Sequence, residues 1–183
     1  LNLNFLESED TFMRFPVKLI AEIGMMLALS AVLGLFVIYR PPQGGTVTAA
    51  MLPLFVLAIR RGPLVGIIGG ILAGTLQMAL DPFFVHPVQV MLDYQFAWGA
   101  IGLAGFVKSW PIFAVILGSI GRFVFHSLSG YVFFAQYAPE GSQTGIGLVA
   151  YVAAYNAAYI VPSVIIALAI IFVLNRTGWL KPA

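Results

Sequence analysis

Residues 147–174 read GLVAYVAAYNAAYIVPSVIIALAIIFVL, from Gly147 to Leu174, without one Asp, Glu, Lys or Arg. As a helix this run is about 42 Å long, more than the ~30 Å hydrocarbon core of a bilayer. The rest of the chain has the same character. Of 183 residues, 61% are hydrophobic and 9% charged, and the mean hydropathy is +0.99. A soluble domain of this size needs far more charge to cover its surface. Lipid is therefore the solvent for most of it, and in lipid only helices or a closed barrel satisfy the backbone. Barrel strands read as short alternating segments. Here the apolar runs are long and continuous, so the expected class is all-α, a polytopic bundle of six transmembrane helices.

Working outward from helix 6, the runs place helix 1 at Pro16–Tyr39, helix 2 at Val47–Ile59 and helix 3 at Pro63–Leu80. Helix 4 is expected at Pro87–Phe106 and helix 5 at Trp110–Ala135. Helix 2 is short and contains Pro53, so it is expected to bend or to span incompletely. Residues 1–13 form a polar N-terminal segment, too acidic for a cleavable signal peptide. Residues 14–183 form one six-helix transmembrane substrate-binding domain.

Six spans put both termini on one side. Arg14, Lys18, Arg60, Arg61, Lys108, Arg176 and Lys181 fall on that side, and Arg40 falls opposite. Positive charge marks the cytoplasm, so both termini are expected there. The absence of cysteine excludes disulfides, thiolate metal sites and cysteine catalysis. Scattered basic residues give no support to nucleic-acid binding. No phosphate-binding G-x-x-x-x-G-K-[ST] loop is present, so the chain does not hydrolyse ATP itself. No metal site, catalytic residue or cofactor is assigned.

Several polar residues fall inside these spans: Glu22, Asp93, Arg122, His126, Tyr151, Tyr155 and Asn156. Intramembrane ionisable groups face an interior cavity or a partner. Asp93 lies about six residues from the outer end of helix 4, roughly 9 Å down. His126, Tyr151 and Asn156 come to a similar level on helices 5 and 6. A carboxylate, an imidazole, a phenol and an amide at one depth describe an outward-facing pocket for a small polar molecule. With Tyr94, Tyr151, Phe83, Phe84 and Phe134 near the acid, a cationic aromatic ligand fits best. Tyr151 and Asn156 stand five apart, roughly 140° around a helix, so one pocket must wrap helix 6 or the helix must deform.

Other readings stay open. Tyr151, Tyr155 and Tyr159 at i, i+4, i+8 also describe a packing stripe. Arg122 and His126 share a face, and Arg122 is read as a structural pairing or backbone contact rather than a ligand contact; pairing with Arg122 is the plain alternative for Asp93. An intramembrane hydrolase using Ser119 or Ser127 with His126 lacks a G-x-S-x-G motif. A proton-coupled carrier using Asp93, Arg122 and His126 lacks an internal repeat. Helix 1 carries small residues at Ala21, Gly24, Ala28 and Ala31, a face that permits close helix contact.

These same residues carry a resemblance. The ordered set Pro42-Gln43-Gly44-Gly45, Met51-Leu52-Pro53, Arg60-Arg61-Gly62, Val85-His86-Pro87-Val88-Gln89, Leu92-Asp93-Tyr94, Arg122-Phe123-Val124-Phe125-His126, Ser129-Gly130, Tyr151 and Tyr155-Asn156 resembles the thiamine-specific S components of energy-coupling factor (ECF) transporters, the ThiT/YuaJ type. It covers about residues 16–176. The resemblance implies an S-component bundle in the bacterial plasma membrane that binds thiamine from outside. It also implies an ECF transmembrane coupling subunit and two cytosolic ATPase subunits as partners. By the same resemblance the substrate-binding residues are Asp93, Tyr94, His126, Tyr151 and Asn156; Phe134 and Phe83, read as aromatics near the acid, complete the expected substrate site. Gly24 and Ala28 map to the partner-docking face of helix 1. Some relatives carry tryptophan where this chain has Gly44 or Gly45, and again where it has Phe134; a glutamate stands in place of Asp93. The alternative within the same architecture is another vitamin or a thiamine precursor as ligand.

Overall fold

The computed structural model describes residues 16–180. The polar segment 1–13, Arg14 and Lys181 lie outside the described residues. Six helices follow one another: α1 Val17–Leu35, α2 Leu52–Arg61, α3 Pro63–Leu80, α4 Pro87–Val107, α5 Pro111–Phe133 and α6 Gly145–Arg176. All but α2 are long and apolar enough to cross a membrane. A single bridge pairs Tyr39 with Val47, and no longer strand occurs among the described residues.

α2 differs from the expectation in an informative way. Pro53 does not bend it. The helix begins at Leu52, so Pro53 sits in its first turn, where a missing N–H breaks no helical bond. Ten residues make a helix of about 15 Å, half a bilayer core. Leu54, Phe55, Leu57, Ala58 and Ile59 are all fully buried, so the shortest helix is the centre of the bundle. The remaining half of that crossing is made by residues 46–51 in non-helical conformation. Ser30 donates from Oγ to the Ala50 carbonyl at 2.7 Å and fixes that segment against α1. A half-length central helix leaves its other half unfilled, and the cavity lies there.

Gly62 joins α2 to α3 in one residue at φ +89°, which favours glycine. Arg60 and Arg61 in the last turn of α2 complement its C-terminal dipole. They also reach α1. Arg60 Nε donates to Glu22 Oε1 at 3.3 Å, and Arg61 holds Glu22 Oε2 through Nε at 2.7 Å and through Nη2. Arg60 Nη1 further donates to the Trp179 carbonyl at 2.7 Å. Glu22 is therefore the electrostatic tie of this end rather than a headgroup residue.

α3 presents glycines to α4. A side chain at Gly70 would overlap the Trp98 carbonyl, and one at Gly74 the Tyr94 carbonyl. That close approach sets the position of the site residues on α4. α4 itself is composite: an α-helical turn at Pro87–Val90, a π-helical stretch at Met91–Phe96, then Ala97–Gly99 and a 3₁₀ end at Ala100–Val107. π-helical turns widen the helix and redirect side chains, and they recur at functional sites. Asp93 and Tyr94 lie within this one.

Candidate functional site

An open cavity of about 110 Å³ lies beyond the N-terminus of α2. Its walls come from residues 43–46, the 81–83 segment, and α3 to α6. All seven residues expected at a substrate site, Asp93, Tyr94, His126, Tyr151, Asn156, Phe134 and Phe83, line it.

Asp93 is the centre. Its Oδ1 meets His126 Nδ1 at 3.0 Å, and its Oδ2 accepts from Gln89 Nε2 at 2.7 Å and Ser129 Oγ at 2.9 Å. Three donors hold an acid whose side chain is only 17% exposed. Such bonds fix its orientation. Gln89 is itself locked, accepting from Val85 N at 3.0 Å and donating to the Phe83 carbonyl at 3.2 Å. In the tautomer that donates to Asp93, the ring proton of His126 lies on Nδ1. Nε2 is then a buried acceptor with no protein partner among the described residues.

On α6 the cavity spans a broad face: Tyr151, Val152, Tyr155, Asn156 and Tyr159. This wrapping brings Tyr151 and Asn156 to one cavity despite their five-residue separation. Asn156 Nδ2 donates to the Val152 carbonyl at 3.0 Å, and Oδ1 accepts from the Tyr159 hydroxyl at 2.6 Å. The amide is thereby oriented with one N–H still free.

The mouth is built by side chains reaching across the fold. Tyr155 hydroxyl accepts from Gln43 N at 2.8 Å and donates to the Gly44 carbonyl at 3.0 Å. Tyr94 hydroxyl accepts from Phe83 N and donates to the Asp81 carbonyl, both at 2.8 Å. Arg40 pairs with Asp81 at 2.8 Å across the rim. Gly44 and Gly45 have φ of +90° and +85°, and a side chain at Gly45 would collide with the Tyr159 ring. Phe83 stacks on Phe134 with centroids 5.9 Å apart, and Phe134 lies 6.0 Å from Tyr137. Tyr151, Tyr155 and Tyr159 form a second aromatic wall, with successive centroids 6.2 and 6.3 Å apart.

Three of the open readings are decided. Arg122 forms no ion pair with Asp93, whose oxygens are taken; its guanidinium lies 4.2 Å from the Trp98 ring centroid. The tyrosine stripe of α6 is a cavity wall as well as packing. The hydrolase arrangement does not form: Ser119 Oγ donates to the Val115 carbonyl, and Ser127 Oγ has no partner. Gln89, Ser129, Tyr155 and Tyr159 were not expected at the site. For Gln89 the signal was present, because i to i+4 spacing places its amide against Asp93. Gly24 and Ala28 are exposed on α1, and a side chain at Gly24 would meet nothing within 4 Å.

The family described as thiamine transporter protein (Thia_YuaJ) matches residues 20–179. The thiamine transporter ThiT of Bacillus subtilis (strain 168) is 37% identical over 183 aligned residues, covering 88% of this chain and 92% of that one. ThiT of Lacticaseibacillus paracasei is 25% identical over 116 residues, covering 52% of this chain and 58% of that one. The solved structure of ThiT from Listeria monocytogenes superposes with a TM-score of 0.78 at 23% identity, covering 91% of this chain and 98% of that one. A structure described as the S component of a bacterial ECF transporter gives a TM-score of 0.61 at 19% identity, covering 90% of this chain and 98% of that one. These two solved structures share the fold.

Proposed function

This chain belongs to the thiamine transporter (Thia_YuaJ) family, and on that premise we propose that it is the thiamine-binding S component of an ECF-type importer, a multi-pass bacterial membrane protein that captures its ligand in the cavity around Asp93. The observation that carries this is a largely buried acid, Asp93, held by Gln89, His126 and Ser129 inside an aromatic enclosure. Thiamine is a cation with two aromatic rings. Asp93 offsets its charge. The rings of Phe83 and Phe134 on one side and Tyr151 and Tyr155 on the other supply stacking and cation–π contacts of about 1–2 kcal/mol each once water is excluded. His126 Nε2 and the free N–H of Asn156 are the directional partners for ring nitrogens and the exocyclic amine.

The chain acts as a binding subunit and not as an enzyme. Energy for inward release comes from a transmembrane coupling subunit and two cytosolic ATPases. The support for docking on α1 is its exposure: the face carrying Gly24 and Ala28 is open and lets another helix approach closely. The end carrying Arg60 and Arg61 is the cytoplasmic one, by the excess of positive charge there. The cavity then opens outward.

Titrating the detergent-purified chain with thiamine by calorimetry, beside the separate pyrimidine and thiazole precursors, tests the assignment. Saturable 1:1 binding of thiamine, tighter than either half, is expected. A folded chain that binds neither thiamine nor its halves overturns it.

A further inference from the structure

The site described so far leaves one buried charge unused. Arg122 lies on α5 one turn further into the bundle than His126 and is 8% exposed. Its Nε and Nη1 find no acceptor among the described residues. A guanidinium cannot shed its proton, and buried N–H groups of a charged side chain are costly to leave unpaired. A second compartment of about 20 Å³, room for about one water-sized occupant, lies against it, sharing Thr46, Gln77, Trp98, Arg122 and Tyr159 with the larger cavity. Thr48 and Ser163 complete its polar lining, and no carboxylate is among the lining residues. Thr48 Oγ1 accepts from Ala50 N at 3.3 Å, and its proton is not directed to any protein acceptor in that contact. The compartment thus offers the unpaired Arg122 N–H groups and the Thr48 hydroxyl at a fixed positive charge with no carboxylate to receive them, while the Ser163 and Tyr159 hydroxyls already donate to the Tyr159 carbonyl and to Asn156.

We propose that this compartment is an anion subsite that takes a small inorganic anion of halide size at Arg122. Water satisfies the stray N–H groups but leaves the charge. Charge balance decides when the anion matters. In the empty cavity Asp93 and Arg122 cancel. A cationic ligand adds one uncompensated positive charge in a space of low dielectric, and an anion on Arg122 restores neutrality. Ligand and anion therefore bind cooperatively, and the coupling is reciprocal. The cooperativity rests on the thiamine reading, whereas occupancy of the subsite does not.

Two measurements on the full chain separate these. Thiamine affinity is titrated at constant ionic strength in sodium chloride and in sodium gluconate, whose anion is too large for the compartment. Weakening in gluconate of about tenfold is expected, within the range typical of coupled sites, with saturable recovery on adding bromide. Arg122→Gln removes the charge to be balanced, so its affinity should no longer respond to the anion; Arg122→Lys should keep the response. Wild-type crystals grown in bromide, with and without thiamine, should show an anomalous peak beside the Arg122 guanidinium, stronger where thiamine is bound. Only water at that position, or an unaltered chloride response in Arg122→Gln, overturns the proposal. Failure of thiamine to bind in either salt counts against the ligand assignment instead, and the bromide peak still decides the subsite.

Discussion

Tyr155→Phe removes one oxygen and leaves the ring in place against Tyr151 and Tyr159. That oxygen accepts from Gln43 N and donates to the Gly44 carbonyl, closing the 43–46 segment onto α6 across more than a hundred residues of chain. Two net hydrogen bonds are worth about 0.5–1.5 kcal/mol each, and groups this close to the mouth regain water when the segment lifts. The closed state should therefore lose about 1–2 kcal/mol, roughly a 5- to 30-fold shift toward open. Since the ligand escapes through the mouth, the loss should appear mainly in the dissociation rate. Stopped-flow displacement of thiamine, read by intrinsic Trp and Tyr fluorescence, measures it directly. A dissociation rate equal to wild type, in a variant that remains monodisperse, would show that this hydroxyl does not hold the cavity closed.

Other perturbations separate the fold from the site. Glu22→Gln weakens the tie between α1 and the arginines of α2, so thermal unfolding in detergent should fall by about 2–8 °C, as ~1–2 kcal/mol does in a chain of this size. Thiamine affinity should be nearly unaffected, because Glu22 lies at the opposite end from the cavity. Gly74→Ala pushes a methyl into the Tyr94 carbonyl and should cost about 1–3 kcal/mol of overpacking, visible as a poorer folded yield in size-exclusion chromatography together with weaker binding. Gly24→Leu with Ala28→Leu should leave thiamine binding by the isolated chain intact while abolishing co-purification with a co-expressed coupling subunit. Retained co-purification would move the docking face elsewhere.

How much of this was legible beforehand depends on what kind of signal a residue leaves. The apolar runs marked all six helices, and Gly62-Pro63 marked the start of α3 to the residue. Helix 2 was placed too early because Val47 to Ala50 are as apolar as a helix, yet they lie in a non-helical segment tied by Ser30 and bridged to Tyr39. The π-helical stretch around Asp93 leaves no composition signature, since it is a shift of hydrogen-bond register. The acid, the imidazole and the amide stood out because lipid rejects them. Tyr155 and Tyr159 did not, because a stripe at i, i+4, i+8 is what packing alone produces. The alternative of an Asp93–Arg122 pair is reasonable by charge and fails on geometry: Gln89, Ser129 and His126 hold the carboxylate.

The central claim is that the charge of Asp93, and not merely its shape, binds the ligand. Asp93→Asn keeps the volume and one carbonyl oxygen but removes the charge. The measurement is the thiamine dissociation constant of this variant beside wild type, by calorimetry on the purified, monodisperse chain. Removing one partner of a buried ion pair costs about 3 kcal/mol or more, so the affinity should fall at least about a hundredfold. An affinity within a few-fold of wild type would contradict the account, and would mean that the aromatic enclosure alone recognises the ligand.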